Sequence, residues 1–301
     1  MIPTLAGKTF FVSADAAVVN RYRDLFPPDE DGETRVFATI DEAVNACTAD
    51  RGDLILVGDG HTETLSDATS LNLDVAGITI RGLGVGSNRP TITMDTATTT
   101  TIPVSAANIT VENMIITANF ADVVAPFTLT TAANFMILGC YIKATAAAMN
   151  FVYVVDTDAT TDNAAGLSVV DCKWIDVDLV CETMIKLDGD NSDVIVAGNF
   201  VQLGVNNNSA ALMVVADGKS VFNLQMVDNV VFRLNTDTAT GGILFHTDQA
   251  DNSGVIARNF AQHADTAAEL LLTASAGLGT FENYASGVAG ASGYQLPAID
   301  S

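Results

Sequence analysis

Ile195-Val196-Ala197-Gly198-Asn199 is a short apolar run that ends on a small polar residue and is followed at once by a second apolar run. The same phrase returns as Gln225-Met226-Val227-Asp228-Asn229, Val255-Ile256-Ala257-Arg258-Asn259 and Gly279-Thr280-Phe281-Glu282-Asn283. Upstream it reads Ser168-Val169-Val170-Asp171-Cys172, Met136-Ile137-Leu138-Gly139-Cys140, Ile109-Thr110-Val111-Glu112-Asn113 and Ile78-Thr79-Ile80-Arg81-Gly82. From Gly82 onward the closing residues lie 31, 27, 32, 27, 30, 30 and 24 positions apart. A drifting period of that size marks a solenoid in which each repeat is one coil. The closing residue has to turn the chain between two strands, and Gly and Asn tolerate the left-handed conformation that such a turn often needs. Coils stacked at about 4.8 Å would also let the Asn amides hydrogen-bond up the stack. The expected turn ladder is Gly82, Asn113, Cys140, Cys172, Asn199, Asn229, Asn259 and Asn283.

A third strand per coil precedes each phrase, at Thr101 to Ser105, Pro126 to Thr131, Phe151 to Asp156, Thr183 to Asp188, Ala211 to Asp217, Gly242 to Thr247 and Glu269 to Thr273. The stretch 157–166 reads as an insertion that loops out of its coil. The fold class expected is therefore all-β, a right-handed parallel β-helix with three short strands per coil. Residues 1–34 are expected as an N-terminal strand and irregular arm, 35–285 as the β-helix, and 286–301 as a C-terminal tail or cap. A capping helix is expected at 39–47: Ile40, Ala43, Val44 and Cys47 share one face, Thr39 can N-cap, and acids occupy the first turn. Such a helix would cover apolar core that an open solenoid end leaves exposed.

Composition narrows the function. Hydrophobic residues make up 49% of the 301 and charged residues 16%, enough for a continuous core. The net charge of -23 argues against nucleic acid and anionic membranes as partners, because phosphate contacts need Lys and Arg. No apolar run approaches the ~20 residues of a membrane-spanning helix, and the first residues do not read as a secretory signal. Cys47, Cys140, Cys172 and Cys181 form no CxxC pair and are expected as buried, reduced thiols with no zinc site.

Asp156, Asp188, Asp217 and Asp248 each follow the third strand of a coil, in a register that would bring carboxylates of adjacent coils together. Such a column could hold a divalent cation weakly, or serve as acid and base in glycoside hydrolysis. The alternative is turn chemistry, since Asp188-Gly189 and Asp217-Gly218 are ordinary turn dipeptides. His246 reads as a hydrogen-bonded surface residue at a strand end, and His61 as a structural residue of the Asp-Gly-His-Thr-Glu turn. Trp174 and Tyr141 read as core or edge packing, with sugar stacking as the alternative.

The run from Phe37 to Thr64, together with the later Asn-closed repeats, resembles the N-terminal cap, first coil and asparagine ladder of the pectate-lyase-like superfamily of right-handed parallel β-helix proteins, phage virion proteins most of all. That resemblance implies the fold and leaves the function open, because the superfamily includes lyases, hydrolases, adhesins and virion proteins. The pectin-hydrolase runs Gly-His-Gly, Asp-Asp and Arg-x-Lys are missing, as is the basic cluster of an uronate lyase. The expected function is a non-enzymatic bacteriophage structural protein, a capsid decoration or fibre-like surface component. It is expected to be virion-located, to contact other virion proteins of capsid or tail, to form a homo-oligomer and to need no cofactor. A polysaccharide-degrading tailspike-type hydrolase or lyase using the Asp column is the first alternative, and a surface adhesin the second.

Overall fold

A computed structural model describes residues 7–29, 32–146, 148–175, 183–203, 211–233, 244–249, 251–263, 277–286 and 293–295. The chain is an all-β parallel solenoid of about eight turns. Sheet A has eleven strands, sheet B ten and sheet C six, and the chain visits A, B and C in that order in the six coils that have a described strand in all three. Neighbouring strands within a sheet come from successive coils and pair in parallel, except for the last pair in sheet B.

Most strands are three to five residues long, and alternate side chains along them point to opposite faces. In sheet A the inward residues Val111, Ile137, Val169, Val196, Met226 and Ile256 are in register from coil to coil. In sheet B, Ile116, Ile142, Trp174, Val201, Val231 and Ala261 do the same. All twelve are buried, which places Trp174 in the core. Burial of one apolar side chain per strand, repeated coil on coil, is what holds the stack together.

The corners explain the drifting period. Asn108 and Asn113, Asn134 and Gly139, Gly166 and Asp171, Asp193 and Gly198, Asn223 and Asp228, and Gly277 and Glu282 all have positive φ, each pair five residues apart. Two left-handed residues thus bracket six of the sheet A strands at a fixed spacing, and much of the variation in repeat length falls elsewhere in the coil. At Gly198 the requirement is steric as well, since an added Cβ would sit 2.2 Å from the Asp171 carboxylate below.

This geometry corrects the expected ladder. The left-handed residue is the one before the buried ladder position, so the corner has two columns rather than one. Glu112 pairs with Leu138, and Arg81 with Glu112. Gly82 and Asn113 therefore share the outer column with Gly139, and Met114 precedes Cys140 in the inner one. Gly and Asn suit either slot, which is why the phrase looked continuous. Asn113 still bonds down the stack from its outer position, donating to the Gly82 carbonyl at 2.8 Å and that of Gly84 at 3.1 Å.

The inner column is a hydrogen-bonded ladder. Asn199 Nδ2 donates to Asn229 Oδ1 at 2.9 Å, Asn229 to Asn259 at 2.9 Å, and Asn259 to Asn283 at 3.0 Å. Each Oδ1 also accepts the backbone N–H of the ladder residue one coil earlier, from Cys172 N–H to Asn199 onward. Cys140 and Cys172 continue the column with free thiols that donate to backbone carbonyls. Burial pushes the Cys140 thiol up to about 11 and Cys172 higher still, so neither is a ready nucleophile. Cys47 is only half-buried; burial pushes it to about 12, and it donates to the Ala43 carbonyl. Cys181 lies outside the described residues.

Both ends differ from expectation in part. Thr9–Val12 is no detached arm: it lies inside sheet A, between Val36–Phe37 and Leu54–Val57. The segment after it forms a ten-residue helix, α1 (Ala16–Leu25), N-capped by Asp15, whose Tyr22 stacks on Phe11 at 3.7 Å. The second helix, α2 (Ile40–Asn45), begins at Thr39 with a complete Thr39–Glu42 capping box and buries Ile40, Ala43 and Val44. Beside it, Asp53 is wholly buried and accepts from the Arg51 guanidinium and from the N–H groups of Lys8 and Thr48. At the other end, Gly293–Gln295 pairs antiparallel with Asn283–Ser286 and so covers that edge of sheet B; the rest of 286–301 lies outside the described residues, as does the strand expected at Glu269 to Thr273.

Candidate functional site

Sheet C carries the predicted carboxylates, on Tyr153–Thr157, Thr183–Leu187, Ala211–Val215 and Phe245–His246 and the turns that follow them. The parallel register decides whether they meet. Asp156 pairs with Lys186, Lys186 with Val214, and Val214 with His246. Asp188 comes one residue after the Leu187–Val215 pair, and Asp217 two residues after it. The four carboxylates therefore do not form one column. The shared spacing to the closing Asn misled because strand and turn lengths vary between the two points.

Only Asp156 and Asp188 are brought together, and a lysine stands between them. Lys186 Nζ lies 2.8 Å from Asp188 Oδ2 and 3.5 Å from Asp156 Oδ1. It also sits 5.0 Å from the centre of the Tyr153 ring. Burial raises the Asp156 carboxyl, the Lys186 ammonium lowers it and Asp188 raises it, for a net upward shift. Burial opposes the Lys186 charge, but its bond to Asp188 and the two nearby carboxylates keep it above its usual range. Asp156 Oδ1 is buried with no hydrogen-bond partner among the described residues, the Lys186 ammonium at 3.5 Å being too far for a strong one.

Asp217 and Asp248 are exposed turn residues. Asp248 accepts from the Gly218 N–H at 3.0 Å, and hydrogen bonds from Gly218 and Gln249 lower its carboxyl. A shallow depression of about 180 Å³ lies beside Lys186, bordered by Tyr153, Thr183, Val214, Asp217 and His246. What this arrangement offers chemically is a lysine held between two carboxylates. Among the described residues no group of three or more His, Cys, Asp or Glu is placed to hold a metal ion. His61 is buried at the N-terminal end, where Nδ1 accepts from the Ala14 N–H and Nε2 contacts Glu63.

Apart from Tyr141, read above as core or edge packing, the residues that the sequence did not single out lie on the outer face of sheet B. Tyr141 projects there beneath three cations: Lys173 Nζ at 5.3 Å from the ring centre, Lys143 Nζ at 5.7 Å and the Arg89 guanidinium at 5.9 Å. Lys173 also lies 5.6 Å from the Phe200 ring, where a run of touching rings begins. Phe200 meets Phe232 at 5.5 Å, Phe232 meets Phe260 at 5.8 Å, and Phe260 stacks on Tyr284 at 5.4 Å. The signal was available, because Tyr141, Phe200, Phe260 and Tyr284 each directly follow a ladder residue. No protein-family model matches this chain, and no curated protein is significantly similar to it.

Proposed function

We propose that the chain is a non-enzymatic structural component of a bacteriophage particle, a β-helix displayed on its surface as a decoration or fibre-like element. The observation that carries this reading is the fate of the Asp set. A polysaccharide-hydrolysing β-helix needs two carboxylates flanking the scissile bond. Here Asp156 and Asp188 hold Lys186, Asp248 holds a turn, and Asp217 stands apart at the surface. The resemblance of the cap and first coil to phage β-helix proteins supports a particle location over that of a cellular adhesin. A stack held by short strands, a buried amide ladder and covered ends suits a rigid surface element.

The test is immunogold labelling of particles released by lysis from cells carrying the gene, with a depolymerase assay of the purified chain on the host's surface glycans. The expected result is label on the particle and no cleavage. Glycan cleavage that is abolished by Asp156→Asn or His246→Ala would overturn the reading and move the function to the sheet C depression.

A further inference from the structure

Sheet B sets itself apart by charge. The chain contains 36 Asp and Glu, yet beyond Thr62–Leu65 no strand of this sheet contains either. Its outer face runs from the Arg89, Lys143 and Lys173 cluster into the Phe200, Phe232, Phe260 and Tyr284 rings, without a carboxylate in the strands between. None of the three cations has a carboxylate partner among the described residues. Arg89 is held in place instead, donating to the Gly139 carbonyl at 2.9 Å and that of Gly86 at 3.2 Å. Like charges gathered on one ring repel one another unless an anion joins them. Phe200 and Tyr284 are each 38% exposed, so the stripe also presents apolar surface.

The complementary surface is on the same molecule. The turns leading from sheet C to sheet A bear the exposed carboxylates of Asp162, Asp193, Asp217, Asp248 and Asp251. The cations beside them, Lys186 and Lys219, are already engaged by Asp188 and Asp190. In a coil that visits A, B and C in turn, the C-to-A corner is the one corner that does not adjoin sheet B. A single chain cannot bring its acidic corner onto its own sheet B face, but a second copy can.

We infer that this chain self-associates head to tail, with the acidic C-to-A corner of one copy docked on the sheet B face of the next. The contact is heterologous, so successive copies close into a ring if the rotation allows and otherwise extend as a filament. Opposite charges at the two ends of the contact set its register and speed its formation, while the ring stripe supplies apolar burial. In a chain of net charge -23, this face lets two copies meet without bringing carboxylates against carboxylates. The contact belongs to the chain itself, so it stands or fails in purified protein whether or not the chain labels particles.

Sedimentation of the full chain at low and high salt tests this. Wild type is expected to associate at low salt, with its apparent dissociation constant weakening at least tenfold, roughly, as salt rises to screen the pairs. Lys143→Glu with Lys173→Glu is expected to weaken association at low salt by a similar factor. So is Asp217→Lys with Asp251→Lys, at two exposed turn positions. A chain carrying all four changes has its charges exchanged across the contact and is expected to regain association. Circular dichroism checks that each variant folds, with neutral Gln and Asn replacements standing in for any that does not. A wild type that stays monomeric through the micromolar range overturns the inference. So does association that only one of the two variant pairs weakens, or a four-change chain no better than its parents.

Discussion

Replacing Asn229 by Ala tests the ladder at its centre. Asn229 is wholly buried, and its Oδ1 accepts both the backbone N–H of Asn199, at 3.0 Å, and the Asn199 amide, at 2.9 Å. Its own amide donates to the Val196 carbonyl at 2.8 Å and to Asn259 Oδ1 at 2.9 Å. In the Asn229→Ala variant the two Asn199 donors are orphaned in the core, while Asn259 Oδ1 keeps the backbone N–H of residue 229. Each unsatisfied buried donor costs about 1–3 kcal/mol, so the expected loss is about 2–6 kcal/mol before any cavity term. That is a large share of the ~5–15 kcal/mol by which a folded domain is stable. Asn229→Cys should lose less, because Cys172 already occupies this column and its thiol donates to the Ile137 carbonyl. Urea denaturation followed by circular dichroism measures the difference, and amide exchange at Asn199 locates it. If the Ala variant unfolds within about 0.5 kcal/mol of wild type, the ladder is decoration and not support.

Three further outcomes are expected. Burial opposes the Asp53 charge, but bonds from Arg51, Thr48 and Lys8 outweigh it and hold the carboxyl below its usual value. A depressed folded-state value adds stability above the unfolded value, near pH 4, and that stability is lost as pH falls toward the folded one; acid titration of Asp53→Asn should show a shallower decline over that range, and an unchanged slope would contradict the assignment. Lys186→Met leaves Asp156 and Asp188 without their shared cation, so it should destabilise by about 3 kcal/mol at pH 7 and less at pH 4, where protonation of Asp156 relieves the repulsion; equal losses at both pH values in thermal melts would refute this. Glu282 holds φ at 53° without being Gly, so Glu282→Gly should raise stability by about 0.5–1 kcal/mol net of the entropy glycine adds to the unfolded chain, and a lowered unfolding midpoint would show that its side chain matters more than its backbone.

What the sequence displayed well was whatever repeats under a single physical demand. The inner column from Cys172 to Asn283 was legible because a buried corner accepts few residue types, and α2 because Thr39 and Glu42 form a recognisable cap. What it hid was register. Gly82 and Asn113 fit the outer corner column as well as the inner one, so a one-residue slip left no trace in the residue types. The second left-handed column, through Asn108, Asn134 and Asp193, uses ordinary turn residues and blended into the loops around it. The Asp set failed for a related reason: strand and turn lengths trade off between sheet C and sheet A, so equal distance from the closing Asn does not mean equal height in the stack. Thr9–Val12 was visible as a strand but not as a member of sheet A, because its partners lie more than twenty residues away.

The fixed five-residue spacing across sheet A has a consequence for where function can reside. With both ends of six sheet A strands held by left-handed residues five apart, that part of the coil has little freedom to change without shifting the coils above it. Length and chemistry can vary in the remainder, and there the two non-random surfaces are found. One is the Lys186 cluster, where burial of a cation between Asp156 and Asp188 is costly unless every partner is present. The other is the sheet B face. A half-exposed ring stripe gains little for a lone solenoid, since Phe200 and Tyr284 remain partly in water while the ladder and core already hold the coils together. Nine consecutive strands without a carboxylate, in a chain whose acids outnumber its bases 36 to 13, are likewise not required for stacking. A surface that stability does not demand, in the part of the coil free to vary, is best accounted for by a partner that covers it.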